Sequence, residues 1–191
     1  MKVRLVSYSK PTIEFENEGI TDVQELVAFC ARVSNPSNQN NNETSQKLIK
    51  YLINNKHWSP LEMVTACIEI ETTRDIARQI LRHRSFSFQE FSQRYADPTK
   101  DLSFVLKEAR LQDNKNRQNS IDTDNETLKS EWINKQKKLI DLSLKTYKWA
   151  IDNGIAKEQA RAVLPEGNTV SRMYMNAVSY THLTLPTKRI V

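Results

Sequence analysis

The segment from Arg78 to Tyr95, RQILRHRSFSFQEFSQRY, concentrates residues that can bind phosphate groups. It contains four arginines, one histidine, one glutamate and three serines. The arginine guanidinium is planar, stays charged and can donate two parallel hydrogen bonds to one phosphate. Serine hydroxyls and backbone amides can complete such a site. This composition predicts either a nucleic-acid groove or a site that binds a phosphorylated small molecule.

The spacing of these residues predicts how they are presented. A helix is predicted over about 74–84, where apolar residues recur at helical spacing. Gln79, Arg82 and His83 would share one face of this helix near its C-terminus, because positions three and four apart are neighbours. A loop after the helix would present further polar side chains: Ser87, Gln89, Glu90, Ser92 and Arg94. An amide suits the edge of a uracil-like base and a carboxylate can accept from ribose hydroxyls, so the segment is predicted to form a nucleotide pocket.

The same segment resembles the signature of the flavin-dependent thymidylate synthases. That signature is Arg-His-Arg, a spacer of seven residues, and then Ser-x-Arg. Its fixed positions are occupied here by Arg82, His83, Arg84, Ser92 and Arg94. Upstream, HWSPLE is similar to the family's His-x-(Ser/Thr)-Pro-x-Glu element, and downstream ARAVLP is similar to its Arg-x-x-Leu-Pro element. The three matches stand in the family's order, so the resemblance is specific and covers about 2–176.

This resemblance implies an enzyme that makes dTMP from dUMP. Methylenetetrahydrofolate would supply the one-carbon unit, and NADPH would reduce a bound FAD that delivers the hydride. Because the flavin carries the chemistry, the protein would need no nucleophile of its own. Neither Cys30 nor Cys67 has a neighbouring histidine or proline, which agrees with that expectation.

The resemblance also assigns residues to the ligands. FAD would be bound by Ser59, Arg82, His83, Arg84 and Glu90. The expected catalytic residues are Arg82, His83 and Arg84, with an arginine helping to polarise the flavin. A larger set would bind dUMP: Gln79, Ile80, Leu81, Arg82, Glu90, Phe91, Ser92, Gln93, Arg94 and Arg161. Within that set, the phosphate of dUMP would be held by Ser92, Gln93, Arg94 and Arg161. Active sites of the family lie at the subunit interfaces of a homotetramer, so these residues need not all serve one site.

The final residues do not fit the family pattern. The segment 178–191, VSYTHLTLPTKRIV, has neither a helical stripe nor a clean strand alternation, and it resembles a translated sequencing-adapter sequence. The expected organisation is a flavin-dependent thymidylate synthase domain over 1–177, incomplete at its C-terminus, and a non-native tail over 178–191. The family's own C-terminal segment supplies further FAD contacts and an arginine that polarises the uracil. Without that segment, weak ligand binding and poor turnover are expected.

The elements that must position these residues predict a mixed α+β fold. Alternation predicts strands at KVRLVSY, MVTACIEIETT and NTVSRMYMN. Apolar stripes predict helices at TDVQELVAFCARVSN, ETSQKLIKYLINN and KEQARAVLP, and a long helix over about 126–153 that Gly154 ends. The polar stretch QDNKNRQNSIDTDNET is predicted to be a mobile insertion. These elements indicate one domain with a small central, largely antiparallel sheet packed with several helices.

Composition and charge argue against several other classes of protein. The 191 residues suit one globular domain, and the net charge of +5 is too mild to indicate a nucleic-acid partner. No apolar run approaches membrane-spanning length and the N-terminus lacks a signal core, so a cytoplasmic protein without a membrane partner is expected. Three glycines exclude a glycine-rich dinucleotide loop. Two cysteines and three histidines without ligand spacing predict no metal site.

Two other functions remain open from the residues alone. A basic helix and loop could bind the backbone of RNA or DNA, which would explain the arginines but not Gln79, Glu90 or the serine spacing. Steep loss of nucleic-acid affinity with salt would support that function. The segment could instead be an assembly interface. In that case Arg94→Ala would change oligomer size without changing ligand binding.

Overall fold

An antiparallel four-stranded sheet organises the part of the chain that the computed structural model describes, residues 1–178. Its strands are β1 (Lys2–Tyr8), β2 (Thr65–Thr73), β3 (Ser87–Glu90) and β6 (Val170–Val178), in the spatial order β1-β2-β6-β3. A separate two-stranded hairpin consists of β4 (Leu111–Gln112) and β5 (Ser120–Ile121). All pairings in the main sheet are antiparallel, as the sequence predicts.

Helices of very different lengths surround the sheet. They are α1 (Ile13–Asn17), α2 (Val23–Ala31), α3 (Ser45–Asn54), α4 (Arg74–Ile80), α5 (Pro98–Asp101), α6 (Glu126–Asp152) and α7 (Lys157–Ala160). A short 3-10 turn, Ser59–Met63, precedes β2, and another, Arg161–Val163, follows α7. Together with the sheet, these helices confirm the predicted mixed α+β fold.

Local capping explains where two of the predicted helices begin and end. Asp22 accepts a hydrogen bond from the Glu25 amide, and the Glu25 carboxylate accepts one from the Asp22 amide, which forms a capping box before α2. Asn125 caps α6 by accepting from the Leu128 amide at 3.0 Å. Gly154 follows α6 with φ +79°, a conformation that glycine adopts without steric cost. Both helices are confirmed.

The main core lies on one face of the sheet, under α4. Buried Ile70, Ala77, Met173 and Met175 form its centre. Four further side chains of α4 and of the chain after it pack against that centre: Ile80, Leu81, Phe86 and Phe88. This packing fixes α4 and β3 relative to β2 and β6, and therefore positions the arginine-rich segment.

Two predictions for the segment 74–94 are wrong. The helix ends at Ile80 rather than near Arg84, and Ser87–Glu90 form a strand rather than a loop. Tertiary contacts cause both differences. Phe86 and Phe88 pack into the core and β3 pairs with β6, and these contacts require an extended chain where the helix was predicted to continue. Consequently Gln79, Arg82 and His83 do not share a helical face.

The polar insertion, predicted to be mobile, contains the β4–β5 hairpin. Arg110 pairs with Asp122 and also donates a hydrogen bond to Ser120 Oγ at 2.7 Å. Asp113 accepts from the Lys115 amide at 2.8 Å and from the Asn119 side chain at 2.8 Å. Local polar contacts therefore order a segment that has no apolar pattern.

Candidate active site

Strand β3 divides the predicted site residues into two groups. Ser87 pairs with Asn176 and Glu90 pairs with Met173, so β3 starts beside the C-terminal part of β6 and runs toward its beginning. Arg82–Arg84 precede the strand, and Ser92–Arg94 follow it. The four residues of β3 separate the two groups by roughly 13 Å at the usual rise of a strand. This spacing suits two ligands or one long ligand.

The first group is a tight turn with two free guanidinium groups. The amides of Arg82 and His83 donate to the carbonyls of Gln79 and Ile80 at 3.2 and 3.1 Å, which closes the end of α4. Arg82 and Arg84 are exposed, and neither joins an ion pair within residues 1–178. The turn therefore offers two unneutralised cations to an anionic ligand.

His83 is oriented by aromatic packing. Its ring meets the ring of Phe86 edge to face, with centroids 5.9 Å apart and planes at 72°. Phe86 in turn packs edge to face against Phe88 at 6.1 Å. The half-buried imidazole thus stands at the boundary between the core and the exposed arginines.

Ser59 lies at the same end of the sheet as this turn. It begins the 3-10 turn that leads into β2, and Thr65 of β2 pairs with Val178 at the end of β6. Ser59 is exposed, whereas Trp58 and Leu61 pack with Val27 and anchor the turn against α2. The register of the sheet therefore gathers Ser59 and Arg82–Arg84 at one end.

Glu90 is held by two elements at the other end of β3. Its Oε1 accepts a hydrogen bond from the Ser171 hydroxyl at 2.7 Å and lies 3.6 Å from Nη1 of Arg74. Arg74, which is buried, also donates from Nε to Glu166 Oε1 at 3.1 Å. Arg78 donates to the other oxygen of Glu166 at 2.6 Å. The Glu90 carboxylate is therefore fixed in orientation before any ligand arrives.

The charges in this network reinforce one another. The pKa of Glu166 lies below the usual carboxyl range, chiefly because Arg78 donates a hydrogen bond to it, with further lowering by Arg74. The same hydrogen bond raises the pKa of Arg78. Both groups are charged at neutral pH, so the ion pair holds α4 to the segment before β6.

The second group brings the predicted phosphate-binding arginines together. Nη2 of Arg94 lies 3.4 Å from Oε2 of Glu158, and Nε of Arg161 donates to the backbone carbonyl of Glu158 at 3.1 Å. The Arg94 amide donates to Ser92 Oγ at 3.4 Å. Two arginines from separate segments thus contact the same residue of α7, one at its carboxylate and one at its backbone carbonyl.

Three of the predicted dUMP-binding residues have inward-facing side chains. Ile80 and Leu81 pack against the main core, and Gln93 is 3% exposed. Nε2 of Gln93 is buried and finds no hydrogen-bond partner among residues 1–178. The backbone of Phe91 is tied to β6, because its amide donates to the Arg172 carbonyl at 2.8 Å. The side chains of Ile80 and Leu81 therefore face the core, while Gln79 is exposed.

The residues that hold the site together are absent from the sequence prediction. Ser171 is 81 positions from Glu90, and Glu166 is 92 positions from Arg74. Glu158 is likewise distant in sequence from Arg94. Pairs at such separations leave no periodicity and no motif in the sequence, so no local signal could have identified them.

Metal-ligand clusters and membrane-spanning helices are both absent from residues 1–178. No group of three or more His, Cys, Asp or Glu side chains there is arranged to hold a metal ion. No helix in the same range is long and apolar enough to cross a bilayer.

Comparison with known proteins identifies the family. The family model described as thymidylate synthase complementing protein matches residues 18–187. The chain is 47% identical over 176 residues to a probable flavin-dependent thymidylate synthase of Paramecium bursaria Chlorella virus 1. It is 49% identical over 176 residues to a flavin-dependent thymidylate synthase of Synechocystis sp.. This chain belongs to the flavin-dependent thymidylate synthase family. Both alignments cover 92% of the chain and 78% of the relative.

Solved structures also share the fold of this flavin-dependent thymidylate synthase family member. The UMP/dUMP methylase PolB from Streptomyces cacaoi, bound with 5-Br dUMP, matches with a TM-score of 0.73 and 24% identity. The match covers 93% of this chain and 72% of that protein. The predicted family and fold are therefore confirmed, as is the expectation of an enzyme. The predicted non-native tail lies, apart from Val178, outside the described residues, and the domain boundary before it stays a prediction.

Proposed function

We propose that this chain converts dUMP to dTMP as a flavin-dependent thymidylate synthase. The observation that carries the proposal is that Arg94 and Arg161 both contact Glu158, Arg94 at its carboxylate and Arg161 at its backbone carbonyl. Two guanidinium groups near one residue could together hold a phosphate monoester. The family relationship supports the reaction and the flavin, because both curated relatives are named flavin-dependent thymidylate synthases.

The first group fits a flavin nucleotide such as FAD. Arg82 and Arg84 are exposed cations without ion-pair partners among residues 1–178, and an anionic diphosphate would neutralise them. Ser59, His83 and Glu90 complete the set that would hold FAD. Bound FAD, once reduced by NADPH, would supply the hydride, and methylenetetrahydrofolate would supply the one-carbon unit. His83 stands where an aromatic surface meets these cations.

The chain's own residues would bind and orient the nucleotide. Arg94 and Arg161 would hold the phosphate of dUMP, with Ser92 beside them. Gln79 and Arg82 would address the other end of the nucleotide, near the flavin. Glu90 ends β3 next to Ser92 and Arg94, and its contacts with Ser171 and Arg74 keep its carboxylate in one orientation. Such preorganisation lowers the cost of ordering the site when ligands bind.

A homotetramer with active sites at subunit interfaces is part of the proposal. Apolar side chains on the surface support it. Val3 and Leu5 of β1 are each 56% exposed, and Leu142 and Trp149 of α6 are 63% and 60% exposed. Exposed apolar surface of this kind is typical of subunit contacts. Sedimentation velocity measures the assembly directly, and a monomer at micromolar concentration would contradict it.

Ligand binding tests the proposed function without relying on turnover. The visible spectrum of the purified chain with FAD should show a bound flavin band that shifts when dUMP is added. Arg94→Ala should keep the flavin band but need more dUMP for the shift. Arg117→Ala, an exposed arginine in the hairpin loop, serves as the matched control. A chain that binds no flavin but binds oligonucleotides with a steep salt dependence would instead support a nucleic-acid-binding module.

A further inference from the structure

A second cationic pocket lies where the C-terminal end of α2 meets the start of α3. It opens to solvent and has a volume of about 470 Å³. Its polar lining consists of Arg32, Ser34, Asn35, Asn38, Thr44 and Lys47. Within the described residues no carboxylate lines it. The pocket is built from elements other than β3 and α7, so it is separate from the Arg94–Arg161 group.

Arg32 is a buried cation with an unsatisfied donor. The residue is 7% exposed, and its Nη2 donates to Thr44 Oγ1 at 2.9 Å. Its Nη1 is buried and has no hydrogen-bond partner in the described part of the chain. No ion pair among residues 1–178 includes this guanidinium. Because arginine stays charged, a buried guanidinium without a counter-charge is costly, and an anion in the pocket would remove that cost.

The start of α3 adds positive potential to the same place. Thr44 is the N-cap residue of this ten-residue helix, but its side chain caps no helix amide. Its hydroxyl oxygen instead accepts from Arg32. The first turn of α3 contains no acidic residue, and Lys47 in that turn is exposed. The positive end of a helix dipole attracts anions, and here it lies beside two cationic side chains.

We propose that this pocket binds a phosphate group. Phosphate carries up to two negative charges, which match Arg32 and Lys47, and its oxygens can accept from a guanidinium fork, an ammonium and hydroxyl donors together. Ser34 and Thr44 provide the hydroxyls. The phosphate can be free or can belong to a nucleotide, and both present the same chemistry. The inference does not depend on the dUMP-binding function proposed for Arg94 and Arg161.

Thermal unfolding of the full chain tests the proposal. Sodium phosphate is the probe, and sodium chloride at equal ionic strength is the reference, because a ligand that binds the native state raises the melting temperature. Lys47→Ala should weaken the apparent phosphate affinity by about tenfold, the loss of one charge-assisted hydrogen bond. Lys50→Ala, an exposed lysine on the same helix outside the pocket, should leave the affinity unchanged.

Further variants and a second probe distinguish this pocket from the Arg94–Arg161 group, and free phosphate from a nucleotide. Arg94→Ala should retain the phosphate effect, since that residue lies in the other group. Equal phosphate affinity in Lys47→Ala and Lys50→Ala would overturn the proposal. Loss of the effect in Arg94→Ala but not in Lys47→Ala would overturn it as well. Titration with ADP identifies the source. Wild-type binding of ADP about tenfold or more tighter than phosphate, with both weakened in Lys47→Ala, indicates a nucleotide phosphate, and equal affinities indicate free phosphate.

Discussion

The hydroxyl of Ser171 donates a hydrogen bond to Glu90 Oε1 at 2.7 Å, and this contact ties the end of β3 to the beginning of β6. Ser171 is 1% exposed, so the bond is shielded from water. Arg74 approaches the same carboxylate oxygen from α4. Glu90 therefore connects three elements at the end of β3 that lies next to the second group of the candidate site.

Removing this hydroxyl should weaken both the fold and the site. Ser171→Ala leaves a carboxylate oxygen without its donor, and we expect a loss of about 1 kcal/mol in the free energy of unfolding. Because Glu90 is less constrained in this variant, its affinity for dUMP should also fall a few-fold. Urea unfolding and calorimetric titration measure the two effects. Ser130→Ala, on the exposed side of α6, is the control, and identical behaviour of the two variants would show that the contact does not position Glu90.

The role of Arg94 can be separated from general electrostatics by changing the ligand. Arg94→Ala should lower the affinity for dUMP by about 10- to 100-fold, the usual loss for one charge-assisted contact to phosphate. Deoxyuridine, which has no phosphate, should bind wild type and variant equally. Arg117→Ala should match wild type with both ligands. If the variant loses deoxyuridine and dUMP to the same extent, Arg94 does not contact the phosphate.

Glu158 competes with the phosphate for Arg94. Its carboxylate lies 3.4 Å from the guanidinium, and both side chains are about half exposed. Glu158→Gln should therefore release Arg94 and raise dUMP affinity, by about two- to fivefold for an exposed ion pair of this kind. Glu131→Gln, on the surface of α6, changes the net charge equally and serves as the control. Weaker binding in Glu158→Gln would instead show that the pair holds Arg94 in its binding position.

Acid should weaken the link between α4 and the segment before β6. Hydrogen bonds from Arg78 and then Arg74 lower the pKa of Glu166 in the folded chain. A group with a lowered folded pKa stabilises the fold above its unfolded pKa and loses that contribution as pH falls through the folded pKa. The stability difference between wild type and Glu166→Gln should be full at neutral pH and shrink from about pH 5 downward. Urea midpoints measured across this range check it, and a constant difference would contradict it.

Much of the framework follows from local sequence. Hydrophobic alternation predicted β2 and β6, and apolar stripes predicted α2, α3 and α6. Both patterns are visible locally, because the periodicity of burial follows from residues close together in the sequence. Gly154 likewise predicted the end of α6. The order of three short motifs also predicted the family and the residues of the candidate site.

The tertiary structure decided how those residues are arranged. The end of α4 at Ile80 depends on the pairing of β3 with β6 and on the burial of Phe86 and Phe88, which overrides the helix propensity of the residues that follow. The partners of Glu90 and Arg94, and the lack of an ion-pair partner for Arg32 among residues 1–178, depend on which side chains the fold brings together from distant parts of the chain. Motifs and periodicity depend on residues that are close together in the sequence. Ion pairs and strand pairing depend on which distant segments come into contact when the chain folds.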